Sequence, residues 1–440
     1  MRAGTFDFGF WGGCLVACLL VGCAEHKSQT ASSTSTSSAR ASTENQTATT
    51  RPVAAAGATT GLGQPQAEKE YLAQATTLRA IYSRPSSEWP KPILDPGVEH
   101  REIGKLPAPE FPADNPYTKE KEALGRELFF DPRLSGSGEI ACASCHDPDL
   151  AWADGRTVAF GHGRTVLKRN APSVLFAAYL KPLFWDGRAS DLEDQFHGPV
   201  TASDEMNGKP EAIRARLDAV PEYRRQFKEV FGAEHISMED AARAVATYER
   251  SLAQTAGRSK FDKFMGGQTN ALSDSAVRGL HLFRTTARCI NCHNGPLFTD
   301  TKFHDLGFSY YGRKYQDLGR YEVTKDPKDV GRFRTPTLRD VERTKPYMHL
   351  GILSLEGTVA AYNAGMATLR PTSSQANDPL FPKKDPLLKR LGLGSIEKAD
   401  LVEFLKSLSE PPLRIRPPEL PGVPSVASKH AAPTESSKSE

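Results

Sequence analysis

The apolar positions along this chain are spaced for helices. Leu124-Gly125-Arg126-Glu127-Leu128-Phe129 and Arg278-Gly279-Leu280-His281-Leu282-Phe283 are two helix-like segments of related form. Between them, Ser237-Met238-Glu239-Asp240 has the form of a capping box and opens a helix over AARAVATYERSLA. Near the end of the core, residues 397–410 place Leu401, Phe404, Leu405 and Leu408 on one helical face. Strand-like alternation is almost absent, and 35 Gly and 32 Pro leave room for long loops. The pattern predicts a mainly α fold.

Both ends of the chain read differently. Residues 8–22 form a short apolar run behind Arg2, too short for a comfortable membrane span. From Glu25 to about Gln66 the chain is Ser, Thr, Ala and Gln with few large apolar residues. Such a stretch buries too little surface to offset its ordering entropy, so it is expected to be a flexible tether. Residues 411–440, rich in Pro, Ser and Lys, read the same way. Roughly 340 residues remain between these ends, enough for two ordinary domains. The net charge of +3 is spread without a basic block and gives no reason to invoke nucleic acid.

Cysteine usage narrows the chemistry. Of seven cysteines, Cys14, Cys18 and Cys23 lie in the first 23 residues. The other four sit in Cys142-Ala-Ser-Cys145-His146 and Cys289-Ile-Asn-Cys292-His293, which leaves none for a structural disulfide. Cys-x-x-Cys-His is the attachment signal for a c-type haem. Its two thiols form thioethers to the haem vinyl groups, and the following histidine gives its imidazole to the iron. Two motifs about one domain length apart, each after a related helix, predict two covalently bound haem c groups in tandem cytochrome c-like domains. A shared zinc or a thiol redox pair needs no histidine after either pair, and here both pairs have one. The expected organisation is a signal peptide over 1–23, a disordered tether over 24–68 and an N-terminal extension over 69–110. A first haem domain over 111–269, a second over 270–410 and a disordered tail over 411–440 follow.

The first apolar run ends in Leu20-Val21-Gly22-Cys23, similar to a bacterial lipoprotein signal in which Cys23 is acylated after cleavage. An ordinary secretory peptide or an uncleaved anchor is the other reading. All three export the body, which agrees with haem attachment outside the cytoplasm. Ala24 after the cysteine points to the outer membrane, giving a lipid-anchored periplasmic protein.

The segments LGRELFFDPRLSGSGEIACASCH, GHG, RNAPSV, FWDGRASDLEDQ, GPV…EMN, NGPLF and GRFRTPTLRDV…PYMHLG together resemble the bacterial dihaem cytochrome c peroxidase and MauG family. The likeness runs from about Leu124 to Leu408, and His162, Asn170, Trp185 and Glu205 stand at the family's spacing from His146. It implies that hydrogen peroxide reacts at the first haem, with Glu205 as acid–base residue, Gln195 as its polar neighbour and Pro199 in the same pocket. Without the resemblance, Glu205 would be one more exposed acid. Trp185 is expected between the haems as a redox relay, a role compatible with core packing. Asn170 and the backbone oxygens of Thr344 and Pro346 resemble a Ca2+ site.

Two positions distinguish branches of the family. Aligning Ser354-Leu355-Glu356 with the helix after PYMHLG makes Tyr362 the distal ligand of the second iron, as in MauG-type proteins. Met366 is the alternative, as in electron-accepting peroxidases, but Asn363-Ala364-Gly365 is expected to end the helix before it. His162 points to the peroxidases, where the loop histidine caps the resting first iron; a plain surface-loop histidine is the other reading. The reducing partner is expected to be a small periplasmic electron-transfer protein or a protein substrate. A membrane-tethered dihaem electron carrier or redox sensor without peroxidase turnover is the competing class. It would need no acid–base pocket at Glu205 and Gln195.

Overall fold

The computed structural model describes residues 65–423. The apolar run, the Cys23 signal and most of the expected tether lie outside them. Eleven α-helices follow in chain order: α1 Pro65–Tyr82, α2 Lys119–Phe130, α3 Leu192–Thr201, α4 Pro210–Asp218, α5 Pro221–Phe231, α6 Met238–Ala253, α7 Lys260–Met265, α8 Asp274–Arg284, α9 Tyr321–Thr324, α10 Leu355–Asn363 and α11 Ser395–Lys406. Among the described residues the sheet is a single antiparallel pair, β1 Phe303–Asp305 and β2 Arg332–Arg334, with His304 opposite Phe333. Among the described residues no helix is long and apolar enough to cross a membrane.

Two hydrophobic cores are built on the same plan. In the first, α2 crosses α6, and Gly125 makes the crossing possible: a Cβ there would meet Ala244 O at 1.9 Å. In the second, α8 crosses α11, and a Cβ on Gly279 would meet Asp400 O at 2.0 Å. The shared glycine of the two sequence segments is therefore a contact residue in both. Four residues after each glycine, Phe129 packs against Tyr248 and Phe283 against Phe404, with ring centroids 5.5 and 5.2 Å apart. Burying one such side chain contributes about 1.5–3 kcal/mol, so the phenylalanines anchor each crossing as firmly as the glycines permit it.

The helix starts follow local chemistry. Ser237 caps α6 by accepting from Asp240 N at 3.0 Å, and its own hydroxyl donates to the Asp240 carboxylate at 2.7 Å. Leu401, Phe404 and Leu405 on α11 are buried, and Leu408, just past its end, is fully so.

Two segments depart from their compositional reading. Pro65–Glu68, inside the expected tether, form the first turn of α1, which packs on α8. It is fixed by Tyr71 Oη donating to Asp400 at 2.7 Å and by Arg79 donating to Leu272 O at 2.8 Å. Residues 411–423, expected to be disordered, run back to the first core. Ile415 packs on it, Arg126 donates to Arg416 O at 2.7 Å, and Pro417, Pro418 and Leu420 share a shallow groove with Ala141, Ala143 and Ser144. Proline-rich chain has little entropy to lose on ordering, which is why a few apolar contacts suffice.

A two-site haem cavity

Each Cys-x-x-Cys-His motif forms one tight turn downstream of its core helix, α2 for the first and α8 for the second. Cys142–Ser144 and Cys289–Asn291 are single 3-10 turns, and each histidine N–H donates to the first cysteine's carbonyl, at 3.0 Å for His146 and 2.9 Å for His293. The turn brings both thiols and the imidazole onto one wall. His146 Nδ1 lies 3.1 Å from Trp152 O and His293 Nδ1 lies 3.0 Å from Phe298 O. A carbonyl only accepts, so each ring carries its proton on Nδ1 and offers Nε2 as a ligand. Burial lowers the pKa of both histidines, which keeps them neutral and ready to bind metal.

Both motifs open into one cavity of about 630 Å³. Its lining includes Gln195 and Pro199 from α3, a helix of the first core, and Glu205 from the turn after it. Tyr362 from α10 lines it too, and Trp185 is also in its wall. The lining is chiefly apolar, and the described cysteines are free thiols. This donor set, a pair of thiols with a preset neutral histidine in each half, fits two c-type haems.

Glu205 is held by its backbone N–H on Ala202 O, and its carboxylate stands 4.0 Å from Arg188 Nη2. Burial raises its pKa, opposed by the Arg188 charge. Trp185 is held at its indole and at its main chain. Nε1–H donates to Asn170 O at 3.0 Å, and Trp185 O accepts from Arg334 N at 2.8 Å. Asn170, Thr344 and Pro346 line the same cavity, and the Asn170 amide donates to Arg156 O at 2.7 Å, leaving Oδ1 as its acceptor.

The structure separates the two candidates for the distal position. Tyr362 is in the cavity wall, and burial raises its phenol pKa well above the ordinary value. Met366 is buried beyond the helix end in a left-handed backbone conformation, φ 60°, and is not in the wall. His162 also stays out of the wall: Gly161 lines the cavity, while His162 N donates to Glu205 O at 2.6 Å and so docks the loop on the turn that carries Glu205.

Three wall residues were not singled out from the sequence. Arg334 is buried with only the carbonyls of Phe184 and Thr335 as partners, at 3.2 and 3.4 Å, and burial lowers its pKa to about 10. A buried guanidinium without a carboxylate is costly, and a haem carries two carboxylates, so Arg334 fits the same cofactor. Against burial, His304 is held protonated by Asp300 at 2.9 Å and Asp385 at 2.7 Å, its pKa pushed up to about 12. Glu249 faces the first site, and burial pushes its pKa up to about 8.

A family model described as di-haem cytochrome c peroxidase matches residues 119–270. Cytochrome-c peroxidase IdrP1 of Pseudomonas sp. (strain SCT) is 40% identical over 352 residues, 73% of this chain and 90% of that protein. The chain belongs to the di-haem cytochrome c peroxidase family. Methylamine utilization protein MauG of Methylorubrum extorquens is similar to it as well, 41% identical over 314 residues, 70% of this chain and 84% of MauG. Among solved structures, a MauG-like protein associated with microbial copper homeostasis superposes with a TM-score of 0.62 at 32% identity, over 70% of this chain and 94% of that one. The chain is thus a di-haem oxidoreductase of the peroxidase/MauG type, mainly helical, with two haem cofactors.

Proposed function

We propose that this chain reacts with hydrogen peroxide at its first haem and passes two oxidising equivalents by way of Trp185 to the second. The observation that carries the reading is the single cavity lined by both Cys-x-x-Cys-His motifs together with Glu205, Gln195, Trp185 and Tyr362. Cys142, Cys145 and His146 would hold one haem and Cys289, Cys292 and His293 the other. The haems supply redox-active iron. Glu205 takes the proton from the near oxygen of peroxide and returns it to the far one, a transfer suited to a carboxyl whose pKa burial has raised. Gln195 offers both an amide donor and an acceptor to peroxide. The Trp185 indole cannot turn without breaking its Nε1–H hydrogen bond to Asn170 O, so it is a fixed relay.

Tyr362 sets what the second site is for. A phenolate oxygen favours oxidised iron, whereas a methionine thioether favours reduced iron and raises the potential. With Tyr362 as ligand the second haem stores oxidising equivalents better than it relays electrons, which favours a MauG-like oxidation of a protein side chain over turnover with a small electron-transfer protein. Asn170 Oδ1 and the backbone oxygens of Thr344 and Pro346 would bind one Ca2+, an oxygen set suited to a hard cation. Stopped-flow mixing of the two-haem protein with hydrogen peroxide tests the reading. Absorption changes at both haems are expected, and a response confined to one would reduce the chain to a single-site reaction.

The same proposal places the protein on the periplasmic side, anchored to the outer membrane through acylated Cys23. Its support is the short apolar run and Leu20-Val21-Gly22-Cys23. Cys23→Ser should release a soluble form or leave the precursor unprocessed in membrane fractionation. Unchanged size and membrane association in that variant would refute the anchor.

A further inference from the structure

Outside the haem cavity, the end of α1 and the segment after it build a second cluster of oxidisable rings against α8. Tyr82, the last residue of α1, is only 1% exposed. Its phenol oxygen lies 2.9 Å from His281 Nδ1 and 3.4 Å from Arg284 Nη1. A guanidinium can only donate, so the phenol oxygen accepts from Arg284, and with the His281 proton on Nε2 the phenol hydrogen is directed at Nδ1. Trp89 closes the cluster edge-on, its ring centroid 5.1 Å from that of Tyr82. Its indole N–H donates to Arg84 O at 2.9 Å. Arg284 lies over both rings and is paired with the Glu102 carboxylate.

This arrangement differs from that of two other tyrosines held by main-chain carbonyls, and from Tyr71 and Tyr223, which donate to the carboxylates of Asp400 and Asp131. Tyr179 donates to Pro107 O and Tyr347 to Val341 O, and an amide oxygen is no base. Tyr82 instead faces an imidazole that burial and the Arg284 charge keep neutral, hence able to accept a proton. His281 is partly exposed, so a proton taken at Nδ1 can be released to water from Nε2.

The position of the cluster matters as much as its chemistry. α8 leads directly into Cys289, and Phe283 on its inner side lines the haem cavity. His281 is two residues away and therefore on the opposite side of the helix. A helix with its side chains is about 10–12 Å across, so Tyr82 stands roughly one helix width from the second haem's wall. Electrons cross packed protein over such a distance readily.

We propose that Tyr82 and His281 form a proton-coupled redox site, shielded by Trp89, that gives one electron to the second haem when that haem holds an oxidising equivalent. The proposal rests on the peroxide reading above. In the step, the Tyr82 O–H bond breaks: one electron goes to the haem, which is reduced by one equivalent, and the proton goes to His281 Nδ1. A neutral phenoxyl radical and an imidazolium remain, and the hydrogen bond from Arg284 stays on the phenoxyl oxygen. An oxidising equivalent that meets no external reductant thus leaves the haem for a defined side chain.

Freeze-quench EPR of the two-haem protein mixed with hydrogen peroxide, without reductant, tests this. A tyrosyl signal is expected that narrows with ring-deuterated tyrosine and disappears in Tyr82→Phe. His281→Asn keeps an acceptor near the phenol but cannot take a proton, so it should lose the signal although Tyr82 is present. Should Tyr82→Phe fail to retain its haems, His281→Asn decides. The same holoproteins are also oxidised by a photogenerated ruthenium(III) complex, which needs no peroxide. Haems that respond to peroxide with no tyrosyl signal, or with one indifferent to both substitutions, overturn the proposal and leave the peroxide reading standing. Haems that ignore peroxide overturn the peroxide reading. The radical site then stands or falls on the ruthenium experiment, where a signal absent or unchanged in the variants rejects it.

Discussion

Glu205→Gln should slow peroxide cleavage by about 10²–10⁴-fold, the usual range for removal of a positioned general acid–base. Glutamine keeps the size and part of the hydrogen bonding of Glu205 but cannot shuttle a proton. The effect should have a pH signature as well. Glu205 acts first as a base, so only its ionised form is competent. Burial raises its pKa above the ordinary carboxylate value, and the rate should therefore fall as pH drops through that raised value, at higher pH than a free glutamate would dictate. In the glutamine variant this limb should vanish. Stopped-flow rates across a pH series measure both effects, and a wild-type rate in the variant would move the proton transfer to another side chain. Arg188, 4.0 Å from the carboxylate, lowers the same pKa. Removing its charge should shift the limb to still higher pH.

Tyr362→Phe should abolish the low-spin signal of the second ferric haem, since the ring remains and only the ligating oxygen is lost. Any state in which the two sites share the oxidising equivalents should become short-lived. Tyr362→Met should act in the other sense, raising that haem's potential and turning the protein toward accepting electrons from a small donor. Met366→Leu should change neither property, because Met366 is buried past the end of α10 and outside the cavity wall. EPR of the ferric proteins with a redox titration decides between the two residues. A low-spin spectrum kept in Tyr362→Phe and lost in Met366→Leu would reverse the assignment.

Much of this architecture is written locally in the chain, and the rest depends on partners far away in it. The haem turns are legible because five consecutive residues carry the whole donor set. The paired helices are legible because Gly125 and Gly279 recur in the same setting, although only the crossings with α6 and α11 show why glycine stands there. α1 escapes a local reading. Its anchors Tyr71, Arg79 and Tyr82 look unremarkable until Asp400, Leu272 and His281 are placed beside them. β1 and β2 are three residues each and pair across a long loop, too short to display a period. Arg334 and His304 are invisible for a related reason: a charged residue acquires meaning from what fails to neutralise it, or from what surrounds it. The 411–423 segment has the composition of loose chain, and composition does not record that Ile415 and Leu420 have somewhere to go.

The two haem turns are also covered at different moments in the life of the chain. One side of the second is held by residues that precede it: Asp95 N donates to Asn291 Oδ1 at 2.7 Å, and Asn291 Nδ2 donates to Ile93 O at 3.0 Å. Those residues are already present when Cys289 emerges. The first turn shares a groove with Pro417, Pro418 and Leu420, almost the last part of the described chain. A contact between positions so far apart closes late, because the intervening loop must be ordered first. The first haem turn therefore keeps one open side until nearly the whole polypeptide has been delivered, whereas the second meets part of its cover on arrival, with α10 and α11 still to follow.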